Sequence, residues 1–402
     1  MHGLFTTAVI ASWIVALAWT QRALSAARNL SRIPNLLQPR TKSGSPSADL
    51  FASPVPRLTV IVPARNEAAA IEATLRSLLA QTIPLAIVAV DDRSTDQTRT
   101  IMDRIAAENL AAGKDLSVIH IATLPHGWTG KNYAMARAAR QSATPWLLFT
   151  DGDVLFREDT LERALRYAEG SAVDHLVLLP TLILKTSGER MMSAVFQSLS
   201  LLSWRPWKIA DPRARRESIG MGAFNLVRSE VYRAIGGFEA APLEVLEDLR
   251  LGYAIKQRGY RQHLVLGRGL IRLHWASGTV GMLHNLTKNI FATFRFRLSL
   301  FLAAWFGLFL LCLSPFPALL APWPIRSAAL VSLAMVALLY AIASRHYNRI
   351  AAAYVFTFPI AVLLVLYAML RSAFVTLTRR GVVWRGTFYP LQELRRNLGP
   401  LR

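Results

Sequence analysis

The sequence holds a single cysteine, Cys312, among 402 residues. One cysteine excludes an internal disulfide and a cysteine zinc site. It lies in an apolar run and reads as a small buried hydrophobe. Acid is scarce: 25 Asp and Glu face 46 Lys and Arg, a net charge of +21. No Lys or Arg precedes the first apolar run, so the basic n-region of a cleaved signal peptide is missing. There is no internal repeat, no low-complexity tract and no visible nucleic-acid module. The cationic excess is therefore read as directed at anionic lipid headgroups and at phosphate, with no nucleic-acid partner.

What is abundant is apolar: 53% of the residues. That is too much for an ordinary soluble enzyme, while 18% charged residues is too many for a bare membrane bundle. Residues Leu4 to about Ala23 form one run long enough to span. Arg22, Arg28 and Arg32 follow it, so the positive-inside rule makes it an uncleaved anchor (1–33) with the next segment in the cytoplasm. Three further spans are expected at Ser299–Ala321, Ser327–Ala343 and Ile350–Leu370, within 299–370. Counting spans puts the tail (371–402) outside. Its Arg371, Arg379, Arg380, Arg385, Arg395, Arg396 and Arg402 put it inside, and that reading is taken, with Pro315, Pro317, Pro322 and Pro324 making the 299–321 segment broken or re-entrant. A multi-pass protein of a bacterial-type inner membrane follows, with 276–298 at the interface. Met191–Ile209 ends in Trp204, Arg205, Pro206, Trp207 and Lys208, which suits either a membrane interface or a core helix with its loop.

Residues 34–57 are rich in Pro, Ser and Gly and read as a linker. From Leu58 short apolar runs alternate with helical stretches. Strands are predicted at Leu58–Val62, Ala86–Val90, Leu116–Ile121, Trp146–Phe149 and Leu176–Leu179. Helices are predicted at Ala68–Gln81, Asp96–Ala112, Asn132–Ser142 and Thr160–Gly170. Such alternation implies an α/β fold, a mostly parallel sheet with helices on both faces, here spanning 58–275. Ligands of such sheets bind at the carboxyl ends of strands.

Those ends carry the chemistry. Pro63-Ala64-Arg65-Asn66-Glu67 ends the first strand, and Pro63 exposes backbone that can line a flat pocket. Asp91-Asp92 ends the second, where a carboxylate can accept from a base N–H or a ribose hydroxyl; Ser94 and Asp96 are candidate helix caps. Asp151-Gly152-Asp153 follows the buried run Trp146–Phe149. Two carboxylates so spaced can hold a divalent cation, and through it a diphosphate. In Gly127-Trp128-Thr129-Gly130-Lys131-Asn132 the glycines allow close approach of backbone, and Lys131 can neutralise phosphate. Gly220-Met221-Gly222 offers small residues beside an acceptor. Glu247-Asp248 opens a helical stretch; acid there often only complements the helix dipole, but Asp248 can also act as a general base.

Taken together, V-P-A-R-N-E (62–67), V-D-D-R-S (90–94), D-G-D (151–153), G-G-F (236–238) and E-D (247–248) resemble a family 2 glycosyltransferase with the GT-A fold, over residues 58 to about 260. The resemblance implies that Pro63, Ala64, Glu67 and Asp92 line the nucleotide site. It implies that Asp151 and Asp153 reach ribose, diphosphate and a Mg²⁺ or Mn²⁺ ion, and that Asp248 is the base of a single inverting displacement. The donor would be a UDP- or GDP-sugar. G-W-T-G-K (127–131) resembles the membrane-bound members that glycosylate lipids, of the hopanoid-associated, carotenoid and ceramide glucosyltransferase-like groups. Gly381–Tyr389 resembles their W-R-G-x-x-Y element, with Thr387 where a basic residue often stands. The Q/R-x-x-R-W element of processive relatives has no match; the nearest stretch is His284–Asn289. Lys131, Lys288 and Arg385 are candidates to grip the leaving diphosphate, and Trp384, Gly222 and Glu247 are further candidates for the site.

The sequence therefore points to a membrane-anchored, metal-dependent inverting glycosyltransferase acting on a membrane lipid. The alternatives are a processive polysaccharide synthase, which the missing element and the few spans disfavour, and an inactive GT-A-like membrane scaffold, which the presence of Asp153 and Asp248 disfavours. A nucleotidyltransferase lacks its Gly-rich loop here. A transporter lacks buried charge in its spans.

Overall fold

The computed structural model describes residues 2–38, 55–110, 113 and 115–398, and the chain packs as two units. One, the sheet unit, comprises residues 34–183, 208–274 and 392–402; the other, the helical unit, comprises 1–33, 184–207 and 275–391.

The strands, in chain order, are β1 (Leu58–Ala64), β2 (Ala86–Asp92), β3 (Asp115–Ile121), β4 (Trp146–Phe149), β5 (Leu155–Phe156), β6 (His175–Leu178), β7 (Thr181–Leu182), β8 (Asn225–Arg228), β9 (Gln262–Val265), β10 (Ile271–Leu273), β11 (Gly381–Trp384) and β12 (Thr387–Pro390). The main sheet runs β3-β2-β1-β4-β8-β6-β9, and β8 alone is antiparallel to its neighbours. Parallel register sets Ala64 opposite Asp91 and Ile61 opposite Phe149. The loops after β1, β2 and β4 therefore leave from one edge. Because β8 runs the other way, with Asn225 opposite Phe149, the loop before β8 reaches that same edge. The mostly parallel sheet and its helices agree with the sequence reading. The short antiparallel strand was not foreseen: four residues carry too little periodicity to separate strand from helix.

The strands are apolar because both faces are covered. Ile61, Val88, Val90, Leu147, Phe149 and Val227 form one core with Met135 and Ala138 of the Gly130–Gln141 helix. Phe149 packs edge-on to Phe238, ring centroids 5.0 Å apart, and lies 5.2 Å from Tyr232. The Phe of G-G-F is thus a core residue beneath the D-x-D loop. Gly236 and Gly237 take φ of 81° and 53°, which a side chain would strain.

Two boundaries differ from the sequence reading. Residues 39–54 of the expected linker lie outside the described residues, but its start is part of the sheet unit: Leu36 N–H donates to Leu266 O (2.8 Å) and Leu266 N–H to Pro34 O (2.8 Å). The expected continuous domain over 58–275 is interrupted. Helix Ser187–Ser203 belongs to the helical unit, where Met192, Val195 and Leu201 are buried. It opens with a capping box between Thr186 and Glu189, and Glu189 also accepts from Gly278 N–H at 2.7 Å.

Among the described residues of the helical unit, four segments are long and apolar enough to cross a membrane: His2–Arg32, Leu298–Ala318, Trp323–His346 and Ala352–Thr378. Their outward faces stay exposed, with Leu4, Leu17, Ile360 and Phe374 uncovered, as lipid-facing residues are. Two of their indole N–H groups are paired inside: Trp19 Nε1–H donates to Leu311 O and Trp305 Nε1–H to Leu366 O, both at 3.0 Å. Pro315 does not break its span open. It starts the short helix Pro315–Ala318 right after Leu298–Leu313, at a position that needs no N–H donor. The basic tail starts later than 371. Arg371 lies within helix Phe358–Thr378 and donates to Thr287 Oγ1 at 2.6 Å, and a β11–β12 hairpin follows.

Candidate active site

Four loops of the sheet unit meet at the carboxyl edge. The first two are tied to each other: Asn66 N–H donates to Ser94 Oγ (3.1 Å), Glu67 N–H to Thr98 Oγ1 (2.8 Å) and Ala68 N–H to Asp96 Oδ2 (3.1 Å). Asp96 Oδ1 accepts from Thr98 N–H at 2.9 Å, so Asp96 caps the next helix and Ser94 links the loops. Alternation along β2 then splits the acidic pair. Asp91 accepts from Ser94 N–H (3.1 Å) and faces His120 Nδ1 (3.4 Å), a structural duty. Asp92, 2% exposed, accepts from Arg93 Nε–H at 2.8 Å and lies 3.9 Å from Arg65. Arg93 takes φ of 56°, unusual for a residue with a Cβ. The sequence reading did not single out Arg93, which stands directly after the acidic pair and is the partner of Asp92.

Asp92 abuts the start of the Gly130–Gln141 helix so closely that a Cβ on Gly130 would collide with its carboxylate and with Arg93. With Asp92 lining the nucleotide site, as the resemblance implies, Gly130→Ala is expected to displace Asp92 and weaken nucleotide-diphosphate binding about tenfold or more, the scale of a lost charged hydrogen bond. Alanine favours helix, so helix stability will not fall with it. Calorimetric titration checks this; unchanged affinity would place Asp92 outside the donor site.

The helix start is also anchored from the far side. Thr129 N–H donates to Pro242 O (2.9 Å), and Asn132 Nδ2 donates to Ala241 O, Pro242 O and Glu244 O at 3.2, 3.2 and 3.0 Å. Asn132, fully buried, thus joins G-W-T-G-K to the chain entering E-D, a role the sequence reading did not assign. As a result Lys131, 8% exposed, places Nζ 2.6 Å from Asp151 Oδ1 and 2.6 Å from Glu247 Oε1. Burial alone would lower the ammonium's pKa. Asp151, Glu247 and Asp248 outweigh that and hold it above its ordinary value. The cluster has more acid than base, and burial pushes both Glu247 and Asp248 above the usual carboxylate range despite Lys131.

Asp248 is held by two backbone donors, Gly222 N–H to Oδ2 (2.9 Å) and Leu249 N–H to Oδ1 (2.7 Å). A Cβ on Gly222 would lie 2.6 Å from Asp151 Oδ2 and 3.2 Å from Lys131 Nζ, so glycine is what lets that loop close on the cluster. Across the sheet edge, a Cβ on Gly152 would lie 3.3 Å from Ala64 Cβ and 3.6 Å from Glu67 Cγ, which puts the loop after β1 against the D-x-D loop. The structure thus gathers Ala64, Glu67, Asp92, Lys131, Asp151, Gly222, Glu247 and Asp248 around one edge, with Pro63 on β1 and Asp153 on the loop of Asp151. Lys288 lies on helix Gly278–Thr293, and Trp384 and Arg385 lie in the β11–β12 hairpin, all in the helical unit.

Among the described residues no three His, Cys, Asp or Glu side chains converge as a metal cage. Asp151 and Asp153 can still serve a hard cation bound in the manner of Mg²⁺, which takes one or two carboxylates and fills its remaining positions with substrate phosphate and water. The donor set fits that use and no tighter one.

Residues 59–235 match the family model for Glycosyl transferase family 2. The chain is 28% identical over 200 residues to the 4,4'-diaponeurosporenoate glycosyltransferases of Staphylococcus aureus strains USA300 and NCTC 8325, covering 49% of this chain and 50% of each relative. It thus spans about half the length of the curated relatives it matches. Among solved structures, the mannosyltransferase PcManGT from Pyrobaculum calidifontis in complex with GDP-Man and Mn2+ aligns with a TM-score of 0.48 and 21% identity, over 91% of this chain and 98% of that one. Staphylococcus aureus TarS 1–349 in complex with UDP-GlcNAc aligns with a TM-score of 0.38 and 16% identity, over 83% and 95%.

Proposed function

We propose that this chain, whose residues 59–235 form a family 2 glycosyl transferase domain, moves a sugar from a nucleotide-diphosphate donor to a membrane lipid with inversion. The observation that carries the reading is the buried Lys131 bridging Asp151 of the D-x-D loop and Glu247 of E-D, with Asp248 beside them. One group of side chains thereby offers both a cation and a base at the edge where a sheet of this kind binds ligand.

Asp248 takes the proton from the acceptor hydroxyl. The hydroxyl oxygen then forms its bond to the anomeric carbon while the bond from that carbon to the diphosphate oxygen breaks, and the nucleotide diphosphate leaves with the bonding electrons. A carboxylate whose proton affinity burial has raised is a better base near neutral pH. Lys131, kept protonated by its acidic neighbours, offsets charge on the departing diphosphate. Pro63, Ala64, Glu67 and Asp92 line the nucleotide pocket. Asp151 and Asp153 would hold Mg²⁺ or Mn²⁺, which supplies further charge neutralisation when bound. Lys288, Trp384 and Arg385 remain candidates from the helical unit.

A lipid acceptor is supported by the four segments apt to cross a membrane and by relatives named for a carotenoid acceptor. An acceptor that stays in the bilayer suits an enzyme anchored there, while the donor arrives from water. The orientation taken here puts the sheet unit in the cytoplasm, where nucleotide sugars are made, and the surplus arginines toward anionic headgroups.

The test uses detergent-purified protein with Mn²⁺, a panel of UDP- and GDP-sugars, and total membrane lipid extract. Lipid-dependent release of nucleotide diphosphate from one donor is expected, with a glycolipid product found by mass spectrometry. No release from any donor, with or without lipid, would overturn the reading. Asp153→Ala is expected to abolish metal-dependent turnover, and full wild-type turnover in EDTA would remove the metal from the scheme.

A further inference from the structure

Three uncharged polar side chains, His175, Asn225 and Gln262, lie almost fully buried on one face of β6, β8 and β9, with exposures of 0%, 2% and 1%. Register explains the meeting: His175 lies opposite both Val227 and Gln262, and Asn225 is one pleat along from Val227 on the same face. Polar groups this deep are costly unless bonded, and these are bonded in a set order. His175 Nε2–H donates to Asn225 Oδ1 at 3.0 Å, and His175 Nδ1 accepts from Gln262 Nε2 at 2.8 Å. The ring is neutral with its proton on Nε2, and burial pushes its pKa down to about 4.

The network ends on the main chain of one segment. Gln262 pairs with Ile219 as a strand would: its Oε1 accepts from Ile219 N–H and its Nε2 donates to Ile219 O, both at 2.9 Å. The same amide reaches Gly252 O (3.1 Å) in the helix that begins with Glu247 and Asp248. Asn225 Oδ1 accepts from Met221 N–H at 3.2 Å, and the next amide, Gly222 N–H, is the one that donates to Asp248 Oδ2. Segment and helix touch backbone to backbone: a Cβ on Gly220 would collide with Asp248 O, and one on Gly252 with Ile219 O. None of the three side chains is among the donor or base residues assigned above.

We infer that Gln262, His175 and Asn225 are positioning residues that lock the Ile219–Gly222 main chain against the Asp248 helix, so that Gly222 N–H orients the Asp248 carboxylate toward the acceptor hydroxyl. This rests on Asp248 being the base. The locked segment bears directly on the base through Gly222 N–H and meets the diphosphate side of the donor site only at Gly222, beside Asp151 and Lys131, while Pro63, Ala64 and Asp92 of the nucleotide pocket stand on β1 and β2, so loss of the lock is felt in turnover before donor binding. Displacing a catalytic group by about 1 Å costs up to roughly 100-fold in rate.

Gln262→Leu in the full-length, detergent-purified protein tests this, with two readouts. Turnover is measured against donor concentration at saturating lipid extract, per folded molecule. The expected result is a fall in kcat of about tenfold or more with donor KM unchanged within about twofold. Hydrogen exchange followed by mass spectrometry is expected to quicken over Ile219–Gly222 and stay unchanged over Leu58–Ala64. If Gln262→Leu does not fold, Gln262→Glu is read the same way, since it keeps the acceptor for Ile219 N–H and loses the amide donors. An unchanged kcat, or a donor KM that rises in step with the loss, overturns the inference. Should the wild-type protein turn over no donor, the proposed function fails. Exchange alone then decides the lock: quickening over Ile219–Gly222 supports it and an unchanged rate rejects it.

Discussion

Asp248→Asn is expected to lower kcat by about 10²- to 10⁴-fold, the usual contribution of a general base, while nucleotide-diphosphate affinity stays within about twofold. The substitution keeps shape and volume but removes proton affinity. Asparagine offers one oxygen and an NH₂ group, so only one of the two backbone donors, Gly222 N–H and Leu249 N–H, keeps its acceptor. Rate and binding should therefore separate. Steady-state turnover and calorimetric titration of the nucleotide diphosphate, on the same preparation, check the separation. Loss of nucleotide binding together with rate would move Asp248 into the donor site and leave Glu247 as the next candidate base.

Lys131→Met carries the largest expected effect on stability. The ammonium is within 2.6 Å of both Asp151 and Glu247, and it is their buried counter-charge. Removing one partner of a buried ion pair costs about 3–5 kcal/mol, because the charge left behind is neither hydrated nor paired. Turnover should be lost with it, since Lys131 is assigned to the leaving diphosphate. The pH dependence has a definite sign. Glu247 and Asp248 already have folded-state pKa values raised by burial, and without Lys131 they rise further. A group whose pKa is raised on folding contributes stability at low pH and loses it as pH climbs through the folded value. The variant should therefore melt well below wild type at pH 8 and recover part of the gap as pH falls toward about 5, just above the ordinary carboxylate range. Fluorescence-detected melts of both proteins across that range are the measurement. A gap that widens on acidification would mean that the carboxylates are paired elsewhere in the folded protein.

Much of this was legible without coordinates. The apolar runs announced the segments apt to cross a membrane, since length and hydropathy are local properties. Alternating strands and helices up to Leu178 gave the parallel half of the sheet, and Asp91-Asp92 and Asp151-Gly152-Asp153 fell at strand ends, while Glu247-Asp248 opened a helix. Where the reading went astray, packing had overruled local pattern. Of the two candidate caps, Asp96 bonds the first helical N–H, of Thr98, while Ser94 Oγ is engaged by Asn66 N–H of another loop. Arg371 looked like the first tail residue, but its guanidinium is absorbed by Thr287 and the helix continues to Thr378. Phe238 of G-G-F carried the resemblance without an assigned role, and the structure gives it one: it fills core space against Phe149. The sequence sets residues 184–207 inside a continuous domain and leaves Met191–Ile209 open between interface and core; the structure gives 184–207 to the helical unit. A helix with a buried apolar stripe can join either unit, and the sequence does not say which offers the partner surface.

By itself the sequence determined the division between lipid-apt and sheet-forming segments, the direction of most strands, and the set of ionisable residues standing at strand ends. These follow from side-chain period, hydropathy and the residue types at turns, all read within a few residues of one another. Only the tertiary structure decided which of those residues form one group and in what protonation state. Asn132 draws Lys131 to Glu247, Gly222 gives up a side chain so that its amide can reach Asp248, and β8 runs backward to bring that loop to the edge. Each of these joins positions far apart in the chain through backbone contacts and shared burial, which leave no period in the sequence, and the pKa shifts follow from that burial.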